Sequence, residues 1–113
     1  MVRSYHLALA DEWRAASDDP DYAPSAFERE GFIHLTDGAD EMVTTANRHY
    51  RDHPGPFVVL EIDLSLVDAH IRYEDQRGIY PHIYGRLPRA AVVAESEIAR
   101  DEGGTFLSIG DAT

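Results

Sequence analysis

Two short segments hold most of the residues able to do chemistry. The first is Gly31-Phe32-Ile33-His34-Leu35-Thr36. On an extended chain His34 and Thr36 are two apart and project to one face, with Ile33 and Leu35 on the other. An imidazole beside a hydroxyl can hydrogen-bond ribose hydroxyls, an amide or phosphate oxygens; the same histidine can equally donate to a backbone carbonyl within the domain. The second segment, His70 to Arg89, gathers four of the ten arginines, two of the six histidines and three of the six tyrosines. Arginine grips phosphate or carboxylate with paired hydrogen bonds, and tyrosine stacks on a base while presenting a hydroxyl. If His70 to Glu74 is a strand, Arg72 and Glu74 share one face, and Ile71 and Tyr73 the other. Arg72, Arg77, Arg86 and Arg89, with His70 and His82, then form either a cationic patch for a compact anion or a surface loop balancing nearby acids.

Other chemistries find less support. Cysteine is absent, which removes disulfides, thiol nucleophiles and thiolate metal sites together. Every basic residue is arginine, so lysine Schiff-base chemistry is excluded. His49 and His53 have the i, i+4 spacing of a helical metal pair, with Asp52 adjacent, but Pro54 disfavours helix at His53 and no third ligand is evident. No metal is therefore expected. The acidic runs Asp18-Asp19-Pro20-Asp21 and Glu28-Arg29-Glu30 lack the glycine and terminal glutamate of a calcium loop. No Walker glycine loop, dinucleotide fingerprint or serine nucleophile elbow is present.

The elements that must position these residues are legible in outline. Ser4 to Leu9 reads as a strand with Tyr5, Leu7 and Leu9 on one face, and His6, Ala8 and Ala10 on the other. Asp11 to Ser17 reads as a helix with Trp13 and Ala16–Ser17 near one stripe, and residues 18–24 as a loop. Ser25 is placed to cap a turn through Glu28, Gly31 to end it, and Phe32 to Thr36 to form one buried strand. Asp37 or Asp40 is expected to cap a helix running to Tyr50, stopped by Pro54-Gly55-Pro56. Phe57 to Asp63 is the clearest strand, followed by a turn over 64–68 and a strand over 70–74. Residues 75–89 read as a loop, with further strands over Ala90 to Ile98 and Thr105 to Ile109. The fold class is α+β: one domain with a mixed, largely antiparallel sheet and a few helices packed on it.

Composition sets the partners. With 43% hydrophobic and 27% charged residues in 113, the chain is neither a disordered tail nor a membrane protein. No apolar run approaches the roughly 20 residues of a spanning helix, and Met1-Val2-Arg3-Ser4-Tyr5-His6 lacks the apolar stretch of a signal peptide, so a cytoplasmic location is expected. Twenty-one acids against ten arginines give a formal charge of −11, which repels long nucleic acid and anionic lipid. A small anionic, nucleotide-like ligand is the expected partner.

Together the two segments carry a resemblance. Glu30-Gly-Phe-Ile-His-Leu-Thr36 resembles the Asp-Gly-Phe-Ile-His-Leu-Ser signature of the bacterial domain of unknown function 952. Arg72-Tyr-Glu74, Arg77-Gly78 and Pro81-His-Ile-Tyr-Gly-Arg-Leu-Pro88 resemble its Arg-Trp-Glu, Arg-Gly and Pro-His-Leu-Tyr-Gly-Pro-Leu-Pro pattern. The similarity covers residues 4 to about 98, leaving a short C-terminal extension of a single domain over 1–113. It implies distant kinship with the ADP-ribosyltransferase fold, which includes RNA 2′-phosphotransferases: a split, curved sheet with an NAD-sized cleft. In that superfamily a strand-borne His-x-Ser/Thr holds the nicotinamide ribose and amide, a pattern that His34-Leu35-Thr36 matches. The implied site has His34 and His82 as catalytic residues, and His34, Thr36, Arg72, Arg77 and Tyr84 binding NAD. No glutamate is assigned the catalytic role that one plays in many ADP-ribosyltransferases, although Glu74 lies within the late motif. Two function classes follow: a transferase acting on NAD or an ADP-ribose-like nucleotide with an unidentified acceptor, or a non-catalytic domain binding a nucleotide or other anionic metabolite.

Overall fold

A computed structural model describes residues 3–15 and 17–110. Met1, Val2, Ala16 and 111–113 lie outside the described residues, and with them part of the opening hexapeptide and of the expected helical stripe. The alternation read in β1 (Ser4–Leu9) decides the layering. His6 and Ala8 pair with Leu60 and Val58 of β5 (Phe57–Ile62), whereas Tyr5, Leu7 and Leu9 pair with Glu61, Val59 and Phe57. Directly paired residues share a face. Ala8, Val58, Leu60 and Ile62 therefore enter one buried cluster with Ile33, Leu35, Ile83 and Leu87. Tyr5, Phe57 and Val59 enter a second with Met42, Ala46, Ile98 and Phe106.

The first helix is shorter than the sequence suggests, and the expected turn after Ser25 is a short helix. The first, α1, covers Ala10–Arg14 rather than reaching Ser17. Within the expected loop, Asp21–Tyr22 forms a two-residue strand, β2. Next, α2 covers Phe27–Glu30, and its cap residue is Ala26 rather than Ser25, whose backbone N–H instead donates to Glu12. Gly31 ends the helix at φ 82°, a conformation glycine adopts without a Cβ penalty. The expected strand through Thr36 is two strands, β3 (Ile33–His34) and β4 (Thr36–Asp37), and these belong to different sheets. The long helix α3 is Ala39–Tyr50, with Gly38 at its cap and neither Asp37 nor Asp40 capping it.

The late segment holds more structure than a loop. After β6 (His70–Tyr73) come β7 (Pro81–Tyr84) and β8 (Leu87–Pro88), then β9 (Val92–Arg100) and β10 (Phe106–Ile109). Pro81 is tolerated as the first residue of its strand. Five strands run in the order β10-β9-β5-β1-β4, three as β3-β7-β6, and β2 pairs β8. Every described pairing is antiparallel, so the sheet is not mixed. The first cluster fills the space between the two larger sheets, and α3 covers the second on the opposite face. Arg100 fastens that second layer by donating to the Arg51, Pro54 and Gly104 carbonyls while lying 4.2 Å over the Phe106 ring.

The radius of gyration, 13.2 Å, is that of one domain of this length. Among the described residues no helix is long and apolar enough to cross a membrane. Ile83 is fully buried at the centre of the three-stranded sheet, paired with Ile33 and Ile71. Ile83→Ala is expected to destabilise the fold by about 2–5 kcal/mol in urea denaturation, as for other truncations in a packed core. A loss below about 1 kcal/mol would show that the two sheets do not share one core.

Candidate functional site

The chain changes sheets at Leu35. Its N–H donates to the Pro81 carbonyl at 3.0 Å, and the Asp37 N–H to that of Ile79 at 2.7 Å. Beyond this crossing β4 pairs only with Ser4 and Tyr5 of β1. A cleft of about 630 Å³ includes the next part of β1 in its lining, through His6, Leu7 and Leu9. Its other walls include Met42, Thr45, Arg48 and His49 of α3, the 22–26 segment, and His34, Thr36 and His82. The volume falls in the range of small-molecule sites.

Cross-strand register assembles the polar face of the smaller sheet. His34 pairs with His82, and His82 with Arg72; His70 pairs with Tyr84. These side chains share the face opposite Ile33, Ile83 and Ile71. The His34 and His82 rings lie 5.1 Å apart, and Phe32 stacks on His82 at 4.2 Å. Each imidazole has a carboxylate: Glu30 Oε2 lies 3.2 Å from His34 Nε2, and Glu74 Oε1 lies 3.3 Å from His82 Nδ1. Glu74 also accepts the Tyr84 hydroxyl. That hydrogen bond, with the one from His82, holds the Glu74 carboxyl below its ordinary value, and the same bond raises the Tyr84 phenol. The other nitrogen of each ring, His34 Nδ1 and His82 Nε2, has no described hydrogen-bond partner. Two carboxylate-oriented imidazoles side by side can carry general acid and base roles.

Behind His34 lies a histidine the sequence reading placed only in the strand pattern. His6 is buried, with Nδ1 2.8 Å from the His34 carbonyl and Nε2 3.1 Å from the Tyr22 hydroxyl. A carbonyl can only accept, so Nδ1 carries the proton and Nε2 accepts from Tyr22. Burial lowers the His6 pKa from 6.5 to about 4, although the hydrogen bond to the His34 carbonyl opposes this. Burial raises the Tyr22 phenol. His6, Tyr22 and Glu30 are among the cleft residues that sequence reasoning did not assign to the site. For His6, the available signal was a polar side chain in the inward-facing series of a strand.

Of the expected site residues, His34, Thr36 and His82 line the cleft, with Thr36 buried. Arg72 and Tyr84 sit on the adjoining sheet face outside that lining, the guanidinium 5.9 Å from the Tyr84 ring centre. Arg77 is turned to α3, where it pairs with Glu41 at 2.6 Å. The four-arginine patch is dispersed as well: Arg86 pairs with Asp19, and Arg89 lies 4.5 Å over Trp13 while donating to the Trp13 and Ala15 carbonyls. Glu74 was expected on the Arg72 face, and its contacts with His82 and Tyr84 put it there. His49 ends in helix while His53 lies beyond it, accepting from the Gly55 N–H; among the described residues no group of three or more His, Asp or Glu is placed to hold a metal.

The profile of the family described as Protein of unknown function (DUF952) matches residues 7–95. The crystal structure of protein CC0527 from Caulobacter crescentus is similar, with a TM-score of 0.77 and 23% identity over 93% of each chain. The solution structure of CC0527 gives a TM-score of 0.70 and 25% identity, covering 90% of this chain and 89% of that one. These likenesses establish the fold. No curated protein matches the chain.

The His6 arrangement predicts a pH dependence. Folding holds His6 neutral where the unfolded chain protonates it, so its stabilisation is fully present above about pH 6.5 and is lost as pH falls towards 4. The full effect is on the order of 3 kcal/mol. His6→Gln, an amide able to make both hydrogen bonds without titrating, is expected to flatten this part of the urea-denaturation pH profile. An unchanged profile in the variant would sink the assignment.

Proposed function

The chain belongs to the DUF952 family, and for this member we propose a site for NAD or an ADP-ribose-like nucleotide, with transfer at the nicotinamide–ribose bond as its reaction. The observation that supports this most is the pair His34 and His82, ring centres 5.1 Å apart, at a cleft of about 630 Å³ whose lining also includes Thr36. The volume suits a dinucleotide folded on itself, and Tyr50 and Tyr80, among the lining residues, are aromatic groups able to stack on a base or pyridine. The break in the sheet beside this cleft is also what kinship with ADP-ribosyltransferases and RNA 2′-phosphotransferases implies, and it supports that relation.

In the proposed reaction His34 and Thr36 hold the ribose. The bond between ribose C1′ and the pyridine nitrogen breaks, and its electron pair neutralises the nicotinamide ring. A lone pair of the acceptor hydroxyl, or of water, forms the new bond to C1′, and His82 takes up the acceptor's proton. Glu74 orients His82, and Glu30 orients His34. Arg72 and Tyr84 flank the pair on the same face, where they can meet a ligand group that extends out of the cleft.

Calorimetry with NAD and ADP-ribose, beside chromatographic detection of nicotinamide, tests the reading. Pure protein is expected to bind both nucleotides and to release nicotinamide from NAD when an acceptor is present. His34→Ala and His82→Ala are each expected to slow release by on the order of 100-fold, the scale of a lost acid–base group. Binding without release would favour a binding domain over an enzyme, and failure to bind either nucleotide would overturn the proposal.

A further inference from the structure

The sequence places anion recognition in residues 70–89, but three arginines there serve other contacts: Arg77 with Glu41, Arg86 with Asp19, and Arg89 with Trp13. Among the described residues, the cleft is lined by one arginine, Arg48, in the last turn of α3. It is exposed and forms no described ion pair. The lining carboxylates are engaged elsewhere. Glu12 accepts from the Ser25 N–H, Glu30 faces His34, and Asp75 accepts from the Ile79 and Tyr80 N–H groups.

A hydroxyl pair backs the guanidinium. Thr45 donates its hydroxyl proton to the Glu41 carbonyl at 2.8 Å, so its oxygen accepts from Tyr80 at 3.4 Å. The Tyr80 oxygen then accepts from Arg48 at 3.5 Å, a contact long enough to be weak. Four of the five guanidinium N–H donors have no described partner. Tyr80 precedes β7, which carries His82, so this contact joins the cationic wall to the histidine wall. A permanent cation in a cleft, lightly held by a neutral phenol, is the arrangement an anion displaces at little loss.

We infer that Arg48, backed by Tyr80, is the phosphate-recognising residue of the cleft. The nucleotide's diphosphate then lies against the last turn of α3 while its sugar meets His34 and Thr36. This deepens the nucleotide-site reading and rests on it.

Calorimetry with ADP-ribose, inorganic pyrophosphate and the phosphate-free nucleoside adenosine tests the assignment on wild type, Arg48→Ala, Arg48→Lys and Arg86→Ala, with thermal melts confirming folding. Arg48→Ala is expected to weaken ADP-ribose and pyrophosphate binding by at least about tenfold, the loss of charge-assisted hydrogen bonds, and to leave adenosine unchanged. Arg48→Lys is expected to restore part of the affinity, since an ammonium keeps the charge but not the paired geometry. Arg86→Ala removes the same charge from an existing ion pair outside the cleft lining and is expected to stay within about twofold. Unchanged ADP-ribose affinity in Arg48→Ala overturns the assignment and leaves the nucleotide site standing. Pyrophosphate binding that depends on Arg48, without ADP-ribose binding, supports the anion subsite and refutes the nucleotide. Failure of wild type to bind any phosphate compound overturns both.

Discussion

The backbone between Ile33 and Asp37 must serve two sheets at once. A strand cannot continue one hydrogen-bond ladder while bending into another, so β3 and β4 are each two residues long, with Leu35 buried between them. The cleft follows from that interruption, because β4 pairs with only Ser4 and Tyr5 of β1. Where the ladder stops, His6 extends from β1 and donates to the His34 carbonyl at 2.8 Å, a side chain replacing a backbone partner. The same imidazole also accepts from Tyr22 and thereby joins the strand break to the wall that Tyr22 lines. The link between the two walls therefore runs through a histidine kept neutral by burial.

A chain of net charge −11 would be expected to hold its arginines against acids, and several obey. Others bind backbone carbonyls and aromatic faces instead. Arg100 takes carbonyls from Arg51, Pro54 and Gly104, and Arg89 takes those of Trp13 and Ala15. The planar fork of the guanidinium suits both uses, which an ammonium would meet less well. Exclusive use of arginine thus fits structural pinning as well as ligand recognition, and counting arginines in a segment cannot separate the two.

The legible parts of the fold were those fixed locally. Alternation in β1 gave its boundaries and its two faces; Pro54-Gly55-Pro56 gave the end of α3; the His34 and Thr36 spacing gave two residues of one cleft. The missed parts depend on distant partners. The stretch Phe32-Ile33-His34-Leu35 carries no mark of a sheet change, since its alternation suits either ladder. The strands β7 and β8 were hidden among prolines, glycines and arginines because their pairing comes from β3, β6 and β2. Likewise Arg77 meets Glu41, 36 positions away, and nothing near either residue announces the pair.

The smaller sheet shows why the two motifs belong together physically. Register puts His34, His82 and Arg72 in one row across three strands and Ile33, Ile83 and Ile71 in the row behind. The apolar row is fixed by burial: a one-residue slip would turn isoleucines outward and histidines into the core. The same constraint that stabilises the sheet therefore holds the imidazoles side by side. Glu30 and Glu74 add orientation from two different sources, a helix end and a strand end, so each ring has its own carboxylate. Glu74 is also shared with Tyr84, which draws the end of the central strand β7 into the same network. Packing sets the spacing of the pair, and each carboxylate engages one nitrogen of its ring.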